Sequence, residues 1–348
     1  MPKNIEILLA DDSGFMRLLL KQMIEQEPDL SVLGTAADGQ EAYEKACQLR
    51  PDVLVLDLVM APYDGLFAIE KIMAECPCPI VLLSGLSEKE PETVFRALSM
   101  GALDFVSKPS GAFHSHIRQV QPLLCQKIRL AAQLSIAAHK KNPQEKSNNY
   151  PHTFAATLPY EVVLLGGSTG GTIGIEFILK NLPQNLPVPV VIAQHIPLRF
   201  AFSFGERLSG LCPFEIKISQ SKRPLLPNQV YLLNPEENWE ITLCQNQACL
   251  LSTPTLFAAY NHPSIDGLWC SAAEVFGAKT LAILLSGMGK DGALGMQAIQ
   301  RQNGLTIAQN EATCVVFGMP KAAIELEAAT HILALEDIPG FITSSFSD

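Results

Sequence analysis

Three carboxylates stand at the ends of two short apolar runs near the N-terminus: Asp11 and Asp12 after Ile5–Leu9, and Asp57 after 53–56. If those runs are strands of one parallel sheet, the acids meet beyond its carboxyl edge, where such sheets bind their ligands. Their mutual repulsion calls for a hard divalent cation, and Mg2+ suits oxygen ligands. Ser84 and Lys108 end two further apolar runs and reach the same edge. A carboxylate beside Mg2+, a hydroxyl and a lysine can carry phosphoryl transfer. The metal and the lysine neutralise the phosphoryl oxygens while Asp57 attacks. Any one of these residues alone would read as ordinary solvated surface; their agreement at successive strand ends argues against that.

A second constellation lies downstream. The apolar run Val162–Leu165 leads into Gly166-Gly167-Ser168-Thr169-Gly170-Gly171 and then a helical pattern. Strand, G-x-S-x-G and helix place a serine hydroxyl on an exposed tight turn. The N–H of Thr169, at a helix N-terminus, can face a developing oxyanion. A dinucleotide loop would need glycine where Ser168 stands, and a P-loop would need a following Gly-Lys-Ser/Thr. A structural glycine-rich turn stays open, because G-x-S-x-G is only moderately specific. His195, which ends the next long strand, is the candidate base, with His262 as its rival. Asp291 follows strand Leu281–Leu285 and can hold the imidazole. Asp266 is the rival acid, with helix N-capping as its plain alternative.

These residues need sheets to position them. The first 110 residues alternate apolar runs with helical patterns, five strands in all, which implies an α/β doubly wound parallel sheet. A helical pattern then runs to about Ala138, and 139–153 (HKKNPQEKSNNYPHT) reads as a linker. Alternation resumes at Glu161, giving a second α/β domain whose 214–251 stretch looks like β-hairpins. The expected division is 1–125, a helical extension and linker over 126–155, and a second domain over 156–348.

Composition narrows the function classes. The chain has 348 residues, 48% of them apolar, and a net charge of −10. That is ample for two cores and argues against a nucleic-acid partner. Nine scattered cysteines read as free, buried hydrophobes of a reducing cytosol. There is no signal-peptide region, and no apolar run approaches the roughly 18 residues of a membrane span. A cytoplasmic protein without membrane insertion is expected.

Residues 3–125 resemble a response-regulator receiver domain, a flavodoxin-like fold. The resemblance implies Asp11, Asp12 and the Val59 carbonyl as Mg2+ ligands with Asp57, and Asp57 as phosphoacceptor. It further implies Ser84, Lys108 (followed by Pro109) and Phe105 as the switch residues. Pro62 stands one position later than the family norm, so a local adjustment is expected. Residues 158–336 resemble the Rossmann-like catalytic domain of the chemotaxis methylesterase (CheB) family. The segments that carry this are GGSTGG, AQHIP, NHPSIDGLWCSAAEVFGA, LLSGMGKDGALGM and AQNEATCVVFGMP.

The family pattern implies Ser168 as nucleophile, His195 as base, Asp291 as orienter and the backbone of Met288 as a second oxyanion contributor. It implies no cofactor in the esterase site. It also implies a CheA-type sensor histidine kinase as phosphodonor, methyl-accepting chemoreceptors as substrate, and a monomer whose unphosphorylated receiver covers the active site. Gly167 replaces the usual alanine, a change expected to be harmless on size. The segment 233–239 departs from the family pattern and puts substrate contacts there in doubt. A generic small-ester hydrolase using His262, and a catalytically silent binding module, stay open as alternatives.

Overall fold

A computed structural model describes residues 4–85, 90–108, 113–133, 160–255, 257 and 262–346, with backbone alone at 90 and 113–119. The expected linker and Pro109 lie outside the described residues. The chain forms two compact units, Met1–Glu145 and Lys146–Asp348.

In the first unit β1 (Ile5–Ala10), β2 (Leu30–Ala36), β3 (Val53–Asp57), β4 (Ile80–Ser84) and β5 (Asp104–Ser107) form one parallel sheet. Its order is β2-β1-β3-β4-β5. The chain leaves β1 for one side and returns to the other, so the gap between β1 and β3 is the switch point. Every residue of β3 and β4 is buried, because helices cover both faces. These helices are α1 (Gly14–Ile24), α2 (Gly39–Leu49), α3 (Gly65–Glu75), α4 (Glu90–Ser99) and α5 (Phe113–Gln133). Ser13, Asp38 and Asp64 accept first-turn N–H groups and set where the first three begin. Helix α5 continues past residue 125: Ile128 and Ala131 are buried, and Arg129 pairs with Glu27 and Asp29.

The second unit holds a seven-stranded sheet of order β15-β14-β13-β6-β7-β10-β8. Its strands are β6 (Val162–Gly167), β7 (Val190–Gln194), β8 (Glu215–Ser219), β10 (Gln229–Leu233), β13 (Thr280–Leu284), β14 (Leu305–Gln309) and β15 (His331–Leu333). All their pairings are parallel. Around them lie α6 (Gly171–Lys180), α7 (Leu198–Leu211), α8 (Ile265–Phe276), α9 (Ala293–Arg301), α10 (Met319–Glu325) and α11 (Ile338–Ser344). β9 (Arg223–Pro224), β11 (Asn238–Cys244) and β12 (Gln247–Thr253) form a small antiparallel sheet. Fully buried Trp239 and Trp269 join that sheet and α8 to the main core.

Two expectations need correction. The 214–251 stretch is not a run of hairpins: β8 and β10 join the parallel sheet, and only β11–β12 is a hairpin. Short strands carry no signal for which partner they will meet. The cysteines are not all free: Cys47 and Cys76 form a disulfide. Cys47 lies in the last turns of α2 and Cys76 is the C-cap of α3. Packing of those helices brings their Cα atoms to 5.2 Å, within bridging range.

Candidate active site

β6 lies between β7 and β13, so the loops after these three strands share one carboxyl edge at the switch point. Ser168 follows β6, His195 follows β7, and Asp291 closes the loop after β13. The loops are knitted together by backbone. Ser168 N–H donates to the Ser286 carbonyl at 3.0 Å, and His195 N–H donates to the Gly167 carbonyl at 3.0 Å. Gly170 has φ of 78°, a left-handed conformation that suits glycine at this turn. Gly287 also packs on Ser168: a Cβ there would lie 2.9 Å from the Ser168 Cβ. Met288, the expected second oxyanion contributor, follows Gly287 directly. Thr169 is buried next to the half-buried Ser168, two residues before α6.

His195 Nε2 and Asp291 Oδ2 are 2.9 Å apart. Asp291 is fully buried, and its oxygens accept three backbone N–H groups: Ile265 and Asp266, each at 2.9 Å, and Gly292 at 3.1 Å. These three N–H groups and the imidazole hold the carboxylate still. The first two open α8, so the positive end of that helix also faces the charge. It is Nε2, not Nδ1, that is turned to Asp291. This differs from the chymotrypsin arrangement, where Nδ1 faces the acid.

Asp291, not Asp266, carries the imidazole. Asp266 is the second residue of α8, whose N-cap is Ser264. The Asp266 Oδ1 accepts from Gly295 N at 2.8 Å. Burial, joined by the charge of Asp291, pushes the Asp266 carboxyl up to about 6. The rival base His262 is exposed and precedes α8. The atypical 233–239 segment braces this region, because Asn238 Oδ1 accepts from Ser264 N at 2.8 Å.

Sequence reasoning missed three polar supports. Gln194 Nε2 donates to the carbonyls of Ser168 and His195. Ser286 Oγ donates to the Thr169 carbonyl at 2.7 Å and accepts from Val316 N at 2.8 Å. Gln309 Oε1 accepts from Ser286 N at 2.8 Å. A usable signal existed for the two glutamines, since each is the one amide ending a mostly apolar strand.

The first unit gathers the other constellation. Carboxylate oxygens of Asp11, Asp12 and Asp57 lie within 4.8 Å of one another. Lys108 Nζ is 2.7 Å from both Asp11 Oδ2 and Asp57 Oδ2. Burial pushes the Asp57 carboxyl up to about 6, against the pull of the Lys108 ammonium; Asp11 adds to the rise. Val59 N–H donates to Asp57 Oδ1 at 3.3 Å. Ser84 is fully buried at the end of β4, and its hydroxyl has no hydrogen-bond partner among the described residues. An all-oxygen acidic set suits Mg2+, and an unpartnered hydroxyl suits an incoming phosphoryl oxygen. Phe105 is buried, with Lys127 Nζ 6.0 Å from its ring centre. Lys127 is also ion-paired with Asp104. The Pro62 loop has a cis Ala61–Pro62 peptide, and Asp64 still caps α3.

Comparison with known proteins identifies the family of each unit. A family model described as CheB methylesterase matches residues 163–342, and one described as response regulator receiver domain matches residues 7–118. The chain is 37% identical over 336 residues to "Protein-glutamate methylesterase/protein-glutamine glutaminase 2" of Shewanella oneidensis, covering 96% of this chain and 95% of the relative. It is 35% identical over 335 residues to the "Protein-glutamate methylesterase/protein-glutamine glutaminase" of Thermotoga maritima, covering 96% of each. The solved Thermotoga maritima CheB methylesterase catalytic domain superposes with a TM-score of 0.52 at 32% identity, over 54% of this chain and 99% of that one.

Proposed function

Because the chain belongs to the CheB methylesterase family, with a receiver domain in front, we propose that it hydrolyses glutamyl methyl esters, and deamidates glutamines, on chemoreceptors. The observation that carries this is the His195–Asp291 pair at the sheet edge shared with Ser168. Ser168 Oγ attacks the side-chain carbonyl. His195 takes its proton and returns it to the leaving methanol, or ammonia for glutamine. The N–H groups of Thr169 and Met288 face the developing oxyanion. Water then hydrolyses the acyl-enzyme by the reverse proton traffic. Ser168→Ala tests the assignment: methanol release from methylated receptor is expected to fall by about 10⁴-fold or more. Unchanged release would sink it.

In the receiver, Asp57 accepts the phosphoryl group from a sensor kinase of the CheA type. Asp11, Asp12, Asp57 and the Val59 carbonyl would hold Mg2+, which when bound neutralises phosphoryl oxygens. Lys108 supplies a second positive charge, and Ser84 and Phe105 respond to the modified aspartate. Phosphorylation is proposed to raise esterase activity. Activity of a 150–348 fragment checks this, with the fragment expected to be faster than the unphosphorylated whole chain. Among the described residues no helix is long and apolar enough to cross a membrane.

A further inference from the structure

We infer that Gln194 is a positioning residue that locks nucleophile and base into one frame, through an amide fork seated in a slot left by Gly167 and Gly171. The inference rests on the reading of Ser168 and His195 above.

Gln194 is the last residue of β7 and only 2% exposed. Its Nε2 lies 2.8 Å from the Ser168 carbonyl oxygen and 3.2 Å from the His195 carbonyl oxygen. A primary amide has two hydrogens at a fixed angle in one plane. One side chain therefore spans the backbone of both reacting residues, alongside the His195 N–H to Gly167 bond. The Ser168 carbonyl is held a second time, by Gly171 N at 2.8 Å. Two donors on that oxygen leave the peptide plane after Ser168, which carries the Thr169 N–H, little freedom to turn.

The other end of the amide explains two glycines. A Cβ on Gly171 would lie 2.5 Å from Gln194 Oε1, and one on Gly167 would lie 2.8 Å from the same atom. Neither glycine has a left-handed φ, unlike Gly170. Their lack of a side chain makes room for Gln194, and at Gly167 also for the Gly171 Cα, which a Cβ would approach to 3.0 Å. Oε1 itself is buried without a hydrogen-bond partner among the described residues. A buried acceptor left unpaired is normally avoided. Here the two carbonyls at the Nε2 end dictate which way the amide faces.

Fixing reacting groups within a fraction of an ångström governs rate more than affinity, and a misplacement near 1 Å can cost about 100-fold. In the full-length chain under constant phosphorylating conditions, Gln194→Ala is expected to lower kcat for methanol release from methylated receptor about 10- to 100-fold, with KM within about twofold. Gly171→Ala alone, which pushes the amide out of its slot, is expected to do the same. The two changes together should be no worse than Gln194→Ala alone, because they disable one device. Thermal unfolding reports whether each variant is folded. If Gln194→Ala is not, Gln194→Met keeps the chain length without the amide and carries the comparison. Ser168→Ala and the rate of serine labelling by a fluorophosphonate run alongside. A silent Ser168→Ala with Gln194 variants at wild-type kcat overturns this inference alone, as do Gly171→Ala and Gln194→Ala losses that multiply. A Ser168→Ala that still releases methanol overturns the nucleophile assignment and this inference with it.

Discussion

Asp266 and Asp291 cap each other's helices. Asp291, just before α9, accepts the N–H groups of Ile265 and Asp266 that open α8. Asp266, in the first turn of α8, accepts the N–H of Gly295 in α9. The exchange ties the two helices together at their N-termini and gives the carboxylate that holds His195 a rigid seat.

Asp291→Asn should therefore injure both activity and stability. Each Asp291 oxygen accepts two hydrogen bonds, and an amide nitrogen in either place would face donors with a donor. A kcat loss of about 10³- to 10⁴-fold is expected in methanol-release assays, by analogy with the same change in serine proteases. A loss of about 1 to 3 kcal/mol is expected in denaturant unfolding, from buried N–H groups left unpaired.

The raised Asp266 carboxyl gives a pH test. Its value moves from the ordinary 3.8 to about 6 on folding, mainly through burial. Between those values the folded chain keeps a proton that the unfolded chain has lost, so this group's contribution to stability falls as pH rises through that window. Its full span is about 3 kcal/mol. Asp266→Asn removes the titration. The variant should gain stability relative to the parent on going from pH 4 to pH 7, measured as the difference in unfolding midpoint at each pH. A difference that stays flat with pH would contradict the raised carboxyl.

Phosphorylation should depend on the acidic cluster as a unit. Asp57→Asn is expected to abolish incorporation of labelled phosphate from a small-molecule phosphodonor. Chelation of Mg2+ by EDTA should do the same to the parent chain, with recovery when Mg2+ is restored. Lys108→Ala should leave metal-dependent incorporation measurable but slower, because it removes one of two positive charges.

The Cys47–Cys76 bridge closes a loop with a sequence separation of 29. Constraint of the unfolded chain by such a loop is worth about 3 to 4 kcal/mol. Cys47→Ser should lower the unfolding midpoint of the first unit under non-reducing conditions and leave that of the second unit unchanged. Thiol titration of the denatured, unreduced chain should find seven free cysteines, since 78, 125, 212, 244, 249, 270 and 314 are unpaired.

Much of the fold, and the placing of the candidate residues at its sheet edges, was legible in the sequence. Alternating apolar runs and helical patterns are local, and they marked the strand ends where Asp11, Asp57, Ser84, Ser168 and His195 stand. Once a chain alternates in this way, ligands gather at the carboxyl edge of its parallel sheet. The sequence by itself therefore determined two α/β units and which residues face each edge. Only the tertiary structure decided which acid meets the imidazole, because His195 and Asp291 are 96 residues apart and Asp266 was equally eligible by type. It also decided which ring nitrogen faces that acid, where β8 and β10 pair, that Cys47 meets Cys76, and that Gln194 donates to the carbonyls of Ser168 and His195. Each of these depends on a contact between distant segments, fixed by packing two elements together, and residue type and local periodicity carry no record of that contact.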